Sequence, residues 1–386
     1  FSGRILSVPI YQCVIIGGGV IGVSIAAHLA ERSAGKILLI ERAGQLGTGT
    51  TARASGGIRH QFSTEANIRC TLESMKEITR FRELYNVDIG FRQIGYLLLA
   101  ENESIAKTLE QNVKLQNQLG IPTELLTPTE IQKRFPYLNT ADIVVGSFCP
   151  WDGVADPNSM VEGYASAARK GGVIFMMDTY VTDISPAGAI HTTSGEIHAE
   201  SVILATGPYS FELYKNLGYT PPIHPHRKLV YQTTLPAGVN EKSPLIIGFP
   251  SGWYIKYEAG TVIMGMSHAE DMAVGNEAVN MSYASGVIEA GIRRIPTLVQ
   301  CELLHGLAGL SDATPDHHAI MGKLPGHDHI YIATGFSGHG FQHAPIAGKI
   351  MAEMVTQGKP GSFDIAPFSP DRFGHTALPV DPLVVI

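Results

Sequence analysis

Residues Tyr11 to Gly22 read YQCVIIGGGVIG. The apolar run Cys13-Val14-Ile15-Ile16 leads into Gly17, Gly19 and Gly22 at G-x-G-x-x-G spacing, and Val23 to Arg32 then reads as a helix. Glu41 closes the next apolar strand, nineteen residues after Gly22. A strand, a glycine turn, a helix and an acid at that distance form the βαβ unit that holds a dinucleotide. Gly17 permits the tight turn, Gly19 lets a pyrophosphate approach the backbone, and Gly22 lets the helix pack on the strand. The helix N-terminus, with Val20 and Ile21 in the turn that leads to it, offers N–H groups and a positive dipole end to phosphate. The motif alone leaves NAD, FAD and a purely structural glycine turn open.

The segment behind Glu41, AGQLGTGTTARASGGIRH, is too rich in Gly, Thr, Ser and Ala for a regular element. Its small residues suit a loop whose N–H groups converge on a cofactor edge. Thr64 to Leu84 has helical apolar spacing and predicts one long helix. Phe91 to Ala100 reads as a strand, Glu103 to Leu119 as an amphipathic helix, and Thr127 as the cap of a short one. Pro157 to Lys170 reads as another helix, ended by Gly171-Gly172. The buried run Ser201 to Thr206 then meets Gly207, and Ile330 to Thr334 meets Gly335, two further strand-to-glycine edges. Leu229–Leu235, Tyr254–Tyr257 and Val262–Met266 read as an antiparallel sheet between them, and Ile346 to Val355 as the last helix.

These edges predict an α/β fold, with a Rossmann-type domain interleaved with an antiparallel-sheet substrate domain. The expected division places 10–88, 151–215 and 310–365 in the first, 89–150 and 216–309 in the second, and 366–386 in a tail. A formal charge of −7 and no Lys/Arg cluster argue against a nucleic-acid surface. The four cysteines are scattered without a C-x-x-C, so neither a disulfide framework nor a zinc site is expected. The histidine pairs 224/226, 317/318 and 327/329 lack completing ligands and read as turn or surface residues. No stretch approaches the roughly 20 apolar residues of a membrane span. The opening FSGRILSVPI lacks the apolar core of a secretory signal, and a cytoplasmic setting is expected.

Taken together, VIIGGGVIG with LLIER, TTARASGGIR, FRQIGYLLLA, GVADPNSMVEGYASAARKGG, SVILATGPYS and ATGFSGHGF resemble the D-amino-acid oxidase and sarcosine oxidase superfamily of FAD enzymes. The nearest branch is that of sarcosine oxidase, glycine oxidase and the dye-linked L-proline dehydrogenase β subunit. The resemblance implies FAD in an extended pose, with Gly17, Gly19 and Gly22 at the pyrophosphate, Glu41 at the ribose and Arg42 near the adenine. Thr50, Thr51, Ser55, Gly56 and Gly57 would run along the pyrophosphate and flavin, and Val181 would contact adenine through its backbone. Ala205 and Gly207 would pass beside the cofactor. Gly338, His339, Gly340, Phe341 and Gln342 would offer backbone donors at the flavin's pyrimidine end. Arg59 matches an arginine that grips an amino-acid carboxylate, the alternative being a structural arginine paired with Glu65 or Asp88. Tyr254 is expected to wall the pocket, and His268 to contact amine or carboxylate.

Three departures from monomeric sarcosine oxidase matter. No cysteine stands in Leu307 to Asp316, where that enzyme carries a flavin link, so noncovalent FAD is expected. Its oxygen-activating lysine aligns near Ile263-Met264, which favours a dehydrogenase, although Lys256 is close. Its lysine after GFSGHGF is Gln342 here. The resemblance thus implies oxidation of the C–N bond of a small amino acid, proline- or sarcosine-like, with an electron carrier or partner subunit. The alternatives are a 2-hydroxy-acid or glycerol-phosphate dehydrogenase, and an FAD-holding subunit that depends on another chain.

Overall fold

The computed structural model describes residues 10–209, 211–267, 278–361, 363–374 and 380–383. Its first sheet has Ile10–Ile16 at the centre, with Gly195–Leu204 on one side and Ile37–Ile40 on the other. Ile330–Thr334 and Ile174–Met176 extend it, and all four of these pairings are parallel. Ile320–Lys323 closes one edge antiparallel. The central strand is apolar and buried from Cys13 to Ile16, where both faces are covered. Cys13 and Ile15 join one core and Tyr11, Val14 and Ile16 the other. The helix Val20–Glu31 is buried along most of its length, between the long helix Gly340–Gln357 and the helix Pro157–Lys170.

The second sheet runs, in order, Leu303–Ala313, His224–Thr234, Thr261–Gly265, Trp253–Glu258, Leu245–Phe249, Tyr96–Ala100, Val145–Cys149 and Glu124–Leu126. It is antiparallel except where Leu245–Phe249 pairs parallel with Tyr96–Ala100. That exception departs from the expected purely antiparallel sheet. The strand Tyr96–Ala100 is fully buried, as a parallel pairing requires. The strand Leu303–Ala313 crosses the expected boundary at 309/310 and carries the chain from one sheet to the other.

Two helices differ from expectation for local reasons. The run from Thr64 divides into Glu65–Ile78 and Phe81–Tyr85. The Thr79 hydroxyl donates to the Met75 carbonyl at 2.7 Å, and this side-chain bond competes with the helix where it ends. The last helix starts at Gly340, six residues before Ile346, with Pro345 inside it. Proline there removes one rung within the opening turns, which helices tolerate better than an interior break. Among the described residues no helix is long and apolar enough to cross a membrane.

Candidate cofactor and substrate site

The glycine turn is dictated by crowding at two of its three positions. Gly17 has φ +111°, and a Cβ there would overlap the Ala205 carbonyl. A Cβ on Gly22 would overlap the carbonyl of Gly17 itself. Gly19 differs, because its nearest neighbour would be Thr51 Oγ1 at an ordinary 3.4 Å. Packing within the protein does not itself require glycine at that position. The helix beginning at Val20 has no side-chain cap and no acid in its first turn, which leaves its positive end to an anion.

A cleft of about 480 Å³ opens from this turn, a size usual for small-molecule and cofactor sites. Gly17, Gly19, Val20, Ile21, Glu41, Arg42, Thr50, Thr51, Val181, Ala205, Gly207, Gly338, Gly340 and Phe341 all line it. The structure therefore gathers onto one surface residues that lie more than 300 positions apart. Gly22 lies beneath the turn, and Ser55, Gly56, Gly57, His339 and Gln342 stand outside the lining. Glu41 is held in place by the Gly18 N–H (2.6 Å) and the Ala43 N–H (2.9 Å). Thr51 Oγ1 accepts from the Val20 N–H at 3.1 Å, and the Thr50 hydroxyl donates to the Leu310 carbonyl at 2.9 Å. The Arg42 guanidinium lies 4.1 Å from the centre of the Tyr209 ring. Sequence reasoning missed Tyr209 and Asp312. Asp312 accepts from the Gly335 N–H at 2.7 Å and so fixes the third strand–glycine edge. Burial raises its pKa against those donors. No local motif marks it.

Arg59 organises the other end. Its side chain is buried, its Nη1 donates to the Gln61 carbonyl (2.8 Å), and its Nη2 donates to the Leu383 carbonyl (3.0 Å). The guanidinium also lies 4.3 Å from the centre of the Phe62 ring. Glu65 is paired with Arg69 and Asp88 with Arg82, so neither of the acids considered as its partner holds it. Gln342 brackets the Arg59 backbone, accepting from its N–H at 2.9 Å and donating to its carbonyl at 3.1 Å. It also donates to Thr71 Oγ1 at 2.8 Å. Its side-chain amide, which stands where sarcosine oxidase has a lysine, is thus spent within the protein. The His339 N–H is likewise used, on the Phe336 carbonyl. Burial, and then the neighbouring Arg59, hold the His339 imidazole well below its ordinary pKa. It is neutral, with Nε2 3.4 Å from Arg59 Nη2.

Two lysines face this region. Lys228, which sequence reasoning did not single out, is brought down to a pKa of about 8 by burial and by Arg59, with Asp312 opposing. Lys256 donates to the Ser55 carbonyl at 2.6 Å and is ion-paired with Glu258. Tyr254 packs on the apolar cluster of Tyr96, Leu98, Leu245 and Leu383. His268 lies outside the described residues. His318 departs from the surface reading, being buried with Nε2 2.9 Å from Thr64 Oγ1. His60, Cys149 and Asp152 converge closely enough to hold a metal. However, both Asp152 oxygens are engaged, by the His60 backbone and ring and by the Gln61 amide. The cluster braces the segment that directly follows Arg59.

A glycine-turned cleft of cofactor size, with a buried arginine held apart from it, is an arrangement that suits an oxidoreductase with a dinucleotide cofactor. The chain belongs to the FAD dependent oxidoreductase family, whose model matches residues 12–354. It is 30% identical to FAD-dependent oxidoreductase domain-containing protein 1 of Bos taurus, over 93% of this chain and 84% of that protein. It is 25% identical to glycine oxidase of Geobacillus kaustophilus, over 94% and 97%. The L-proline dehydrogenase structure from P. horikoshii superposes with a TM-score of 0.88 at 30% identity, covering 96% of this chain and 99% of that one. The protein is an FAD-dependent enzyme.

Proposed function

We propose that this enzyme oxidises the C–N bond of a small, secondary amino acid such as proline or an N-methyl glycine, and that it holds FAD noncovalently. The observation that carries the reading is Arg59. A buried guanidinium, fixed through its backbone by Gln342 and lying over Phe62, is a rigid receptor for a carboxylate. Lys228 adds a second positive charge close enough to shift with Arg59. Neutral His339 adds no like charge beside the Arg59 guanidinium. The relatives named for glycine and proline oxidation support a substrate of this class.

Residues Gly17, Gly19, Gly22 and the helix they open would hold the pyrophosphate. Glu41 would take the ribose, with Arg42 and the Val181 backbone at the adenine. Thr50, Thr51, Ser55, Gly56, Gly57, Ala205, Gly207 and the turn Gly338–Phe341 would follow the rest. Bound FAD supplies a two-electron acceptor for the hydride of the substrate's α-carbon. The protein's part is to capture the carboxylate, orient that carbon and exclude water, which needs no strong general base. No cysteine stands in Leu307 to Asp316, where sarcosine oxidase carries its flavin link, which supports noncovalent retention. Lys256 is ion-paired with Glu258 and donates to Ser55, which supports its not serving as the cation that stabilises reduced oxygen. Electrons then pass to a carrier or partner chain rather than to oxygen.

The test is anaerobic. Proline or sarcosine should bleach the visible flavin spectrum, whereas failure of a panel of amino acids and N-methyl amines to do so would refute the substrate class. Flavin that stays with acid-precipitated protein would rule out noncovalent binding, and rapid peroxide formation in air would rule out the dehydrogenase.

A further inference from the structure

The segment Val380–Leu383 enters the interior with alternating exposure. Asp381 and Leu383 are buried at 0% and 1%, while Val380 and Pro382 face outward. Leu383 reaches two features that the proposed substrate would need. Its carbonyl accepts from Arg59 Nη2 at 3.0 Å. Its side chain joins the apolar cluster of Tyr96, Leu98, Ala100, Leu245, Ile247 and Phe249, against which Tyr254 packs. A carbonyl oxygen on the guanidinium and an aliphatic group in the adjoining apolar slot are what a small apolar amino acid would itself present. Asp381 supplies the matching charge, standing first among the groups that hold the Arg59 pKa up against burial.

We propose that Val380–Leu383 is an intramolecular occupant of the amino-acid end of the site, which substrate displaces in order to reach Arg59. The inference rests on the reading of Arg59 as the carboxylate receptor. Docking of the segment is polar and incomplete. Asp381 Oδ2 accepts from the Ser63 N–H at 3.1 Å and the Asn67 amide at 3.5 Å. Its backbone accepts from His317 Nδ1 at 2.7 Å and donates to the Asp316 carbonyl at 3.3 Å. Its Oδ1 is buried without a hydrogen-bond partner. An orphaned carboxylate oxygen raises the free energy of the seated state, because in water it would be solvated. A ligand that binds only the open form then shifts the equilibrium by its own binding energy. Its apparent affinity falls by the fraction of molecules that are open.

Pyrrole-2-carboxylate, which carries a proline-like carboxylate and no α-hydrogen to lose, separates the outcomes on the FAD-loaded full chain. Binding is read from the visible flavin absorption, and displacement from hydrogen exchange of a peptide covering 379–383. The proposal expects exchange there to rise as the probe binds. It also expects Leu383→Gly to bind the probe about tenfold more tightly, because the competitor is weakened. If the probe perturbs the flavin while exchange is unchanged and Leu383→Gly binds no better, the segment is a fixed wall and the proposal fails with Arg59 intact. If neither protein responds to the probe, the Arg59 reading itself falls and takes this one with it. Should Leu383→Gly not fold, the wild-type exchange result decides alone, and Asp381→Asn provides a second variant expected to loosen the segment.

Discussion

The two ends of the site are built by different means. At the nucleotide end, backbone does the work: Gly17 and Gly22 let strand, turn and helix approach within distances that no side chain would allow. At the proposed amino-acid end, long-range side-chain contacts do the work: the Arg59 backbone is held by the Gln342 side chain, 283 residues away, and the Arg59 side chain reaches the Leu383 carbonyl, 324 residues away. A backbone site tolerates few substitutions and advertises itself in a short motif. A side-chain site can be retuned one residue at a time. Such a division suits a fold whose cofactor is fixed while its substrates vary.

The largest expected effect breaks the nucleotide end in two ways. Gly22→Ala forces a methyl into the Gly17 carbonyl and should cost at least about 3 kcal/mol, enough to prevent recovery of folded protein. Gly19→Ala meets only Thr51 at 3.4 Å and should leave the apoprotein's melting temperature nearly unchanged. It should nevertheless weaken FAD by roughly a hundredfold, because the methyl stands where backbone must approach the pyrophosphate. Thermal melts of apoprotein and a flavin titration read the two effects separately. If Gly19→Ala retains FAD, the pyrophosphate does not pass that residue.

This contrast also explains what the sequence disclosed. The first βα unit, the later edges at Gly207 and Gly335 and the helix Pro157–Lys170 were legible, because each is written in consecutive residues with the period of its element. The extended start of the last helix at Gly340 was not, since Gly338, Gly340 and Pro345 carry turn signals that tertiary burial overrides. The strand Leu303–Ala313 was missed because its first half is partly exposed and only its second half is buried. At the substrate end Arg59 was visible through its neighbours in sequence. Lys228, Asp312 and the seat of Leu383 were not, because each acquires its role only when the two sheets meet.

The next effect tests whether Gln342 positions Arg59 or merely fills space. Gln342→Leu leaves the Arg59 N–H and carbonyl buried without partners and should cost about 2–3 kcal/mol of stability. It should also raise KM for the amino acid more than it lowers kcat, since the guanidinium is no longer held in one orientation. A purely structural role would lower the melting temperature and leave KM alone. Gln342→Glu, which can still accept from the Arg59 N–H, should recover part of both.

A smaller effect is carried by pH. The Lys228 pKa lies near 8, below that of an ordinary lysine, because burial and Arg59 penalise its charged form. Below that value the cation is present and helps to bind a carboxylate, so pyrrole-2-carboxylate should bind severalfold more weakly as pH rises through about 8. Stability moves the other way. The penalty of holding a disfavoured charge is fully present below the folded pKa and is relieved as pH rises from there toward the unfolded lysine value. Lys228→Met should flatten both slopes, and a probe affinity that still falls near pH 8 in that variant would assign the titration to another group.

The smallest expected effect returns to the nucleotide end, where Arg42 stacks on Tyr209. Both residues line the cleft, and their pairing spans it between the ribose acid's strand and the edge at Gly207. A cation over an aromatic face at a partly exposed site is worth about 0.5–1 kcal/mol. Arg42→Ala should therefore weaken FAD only two- to fivefold, chiefly through a faster off-rate measured by flavin fluorescence on dilution. Tyr209→Leu should give a similar loss, and the double variant should cost little more than either single one, because the pair acts as a unit. A hundredfold loss from Arg42→Ala would mean that this end too depends on side chains, and the contrast between the two ends would not hold.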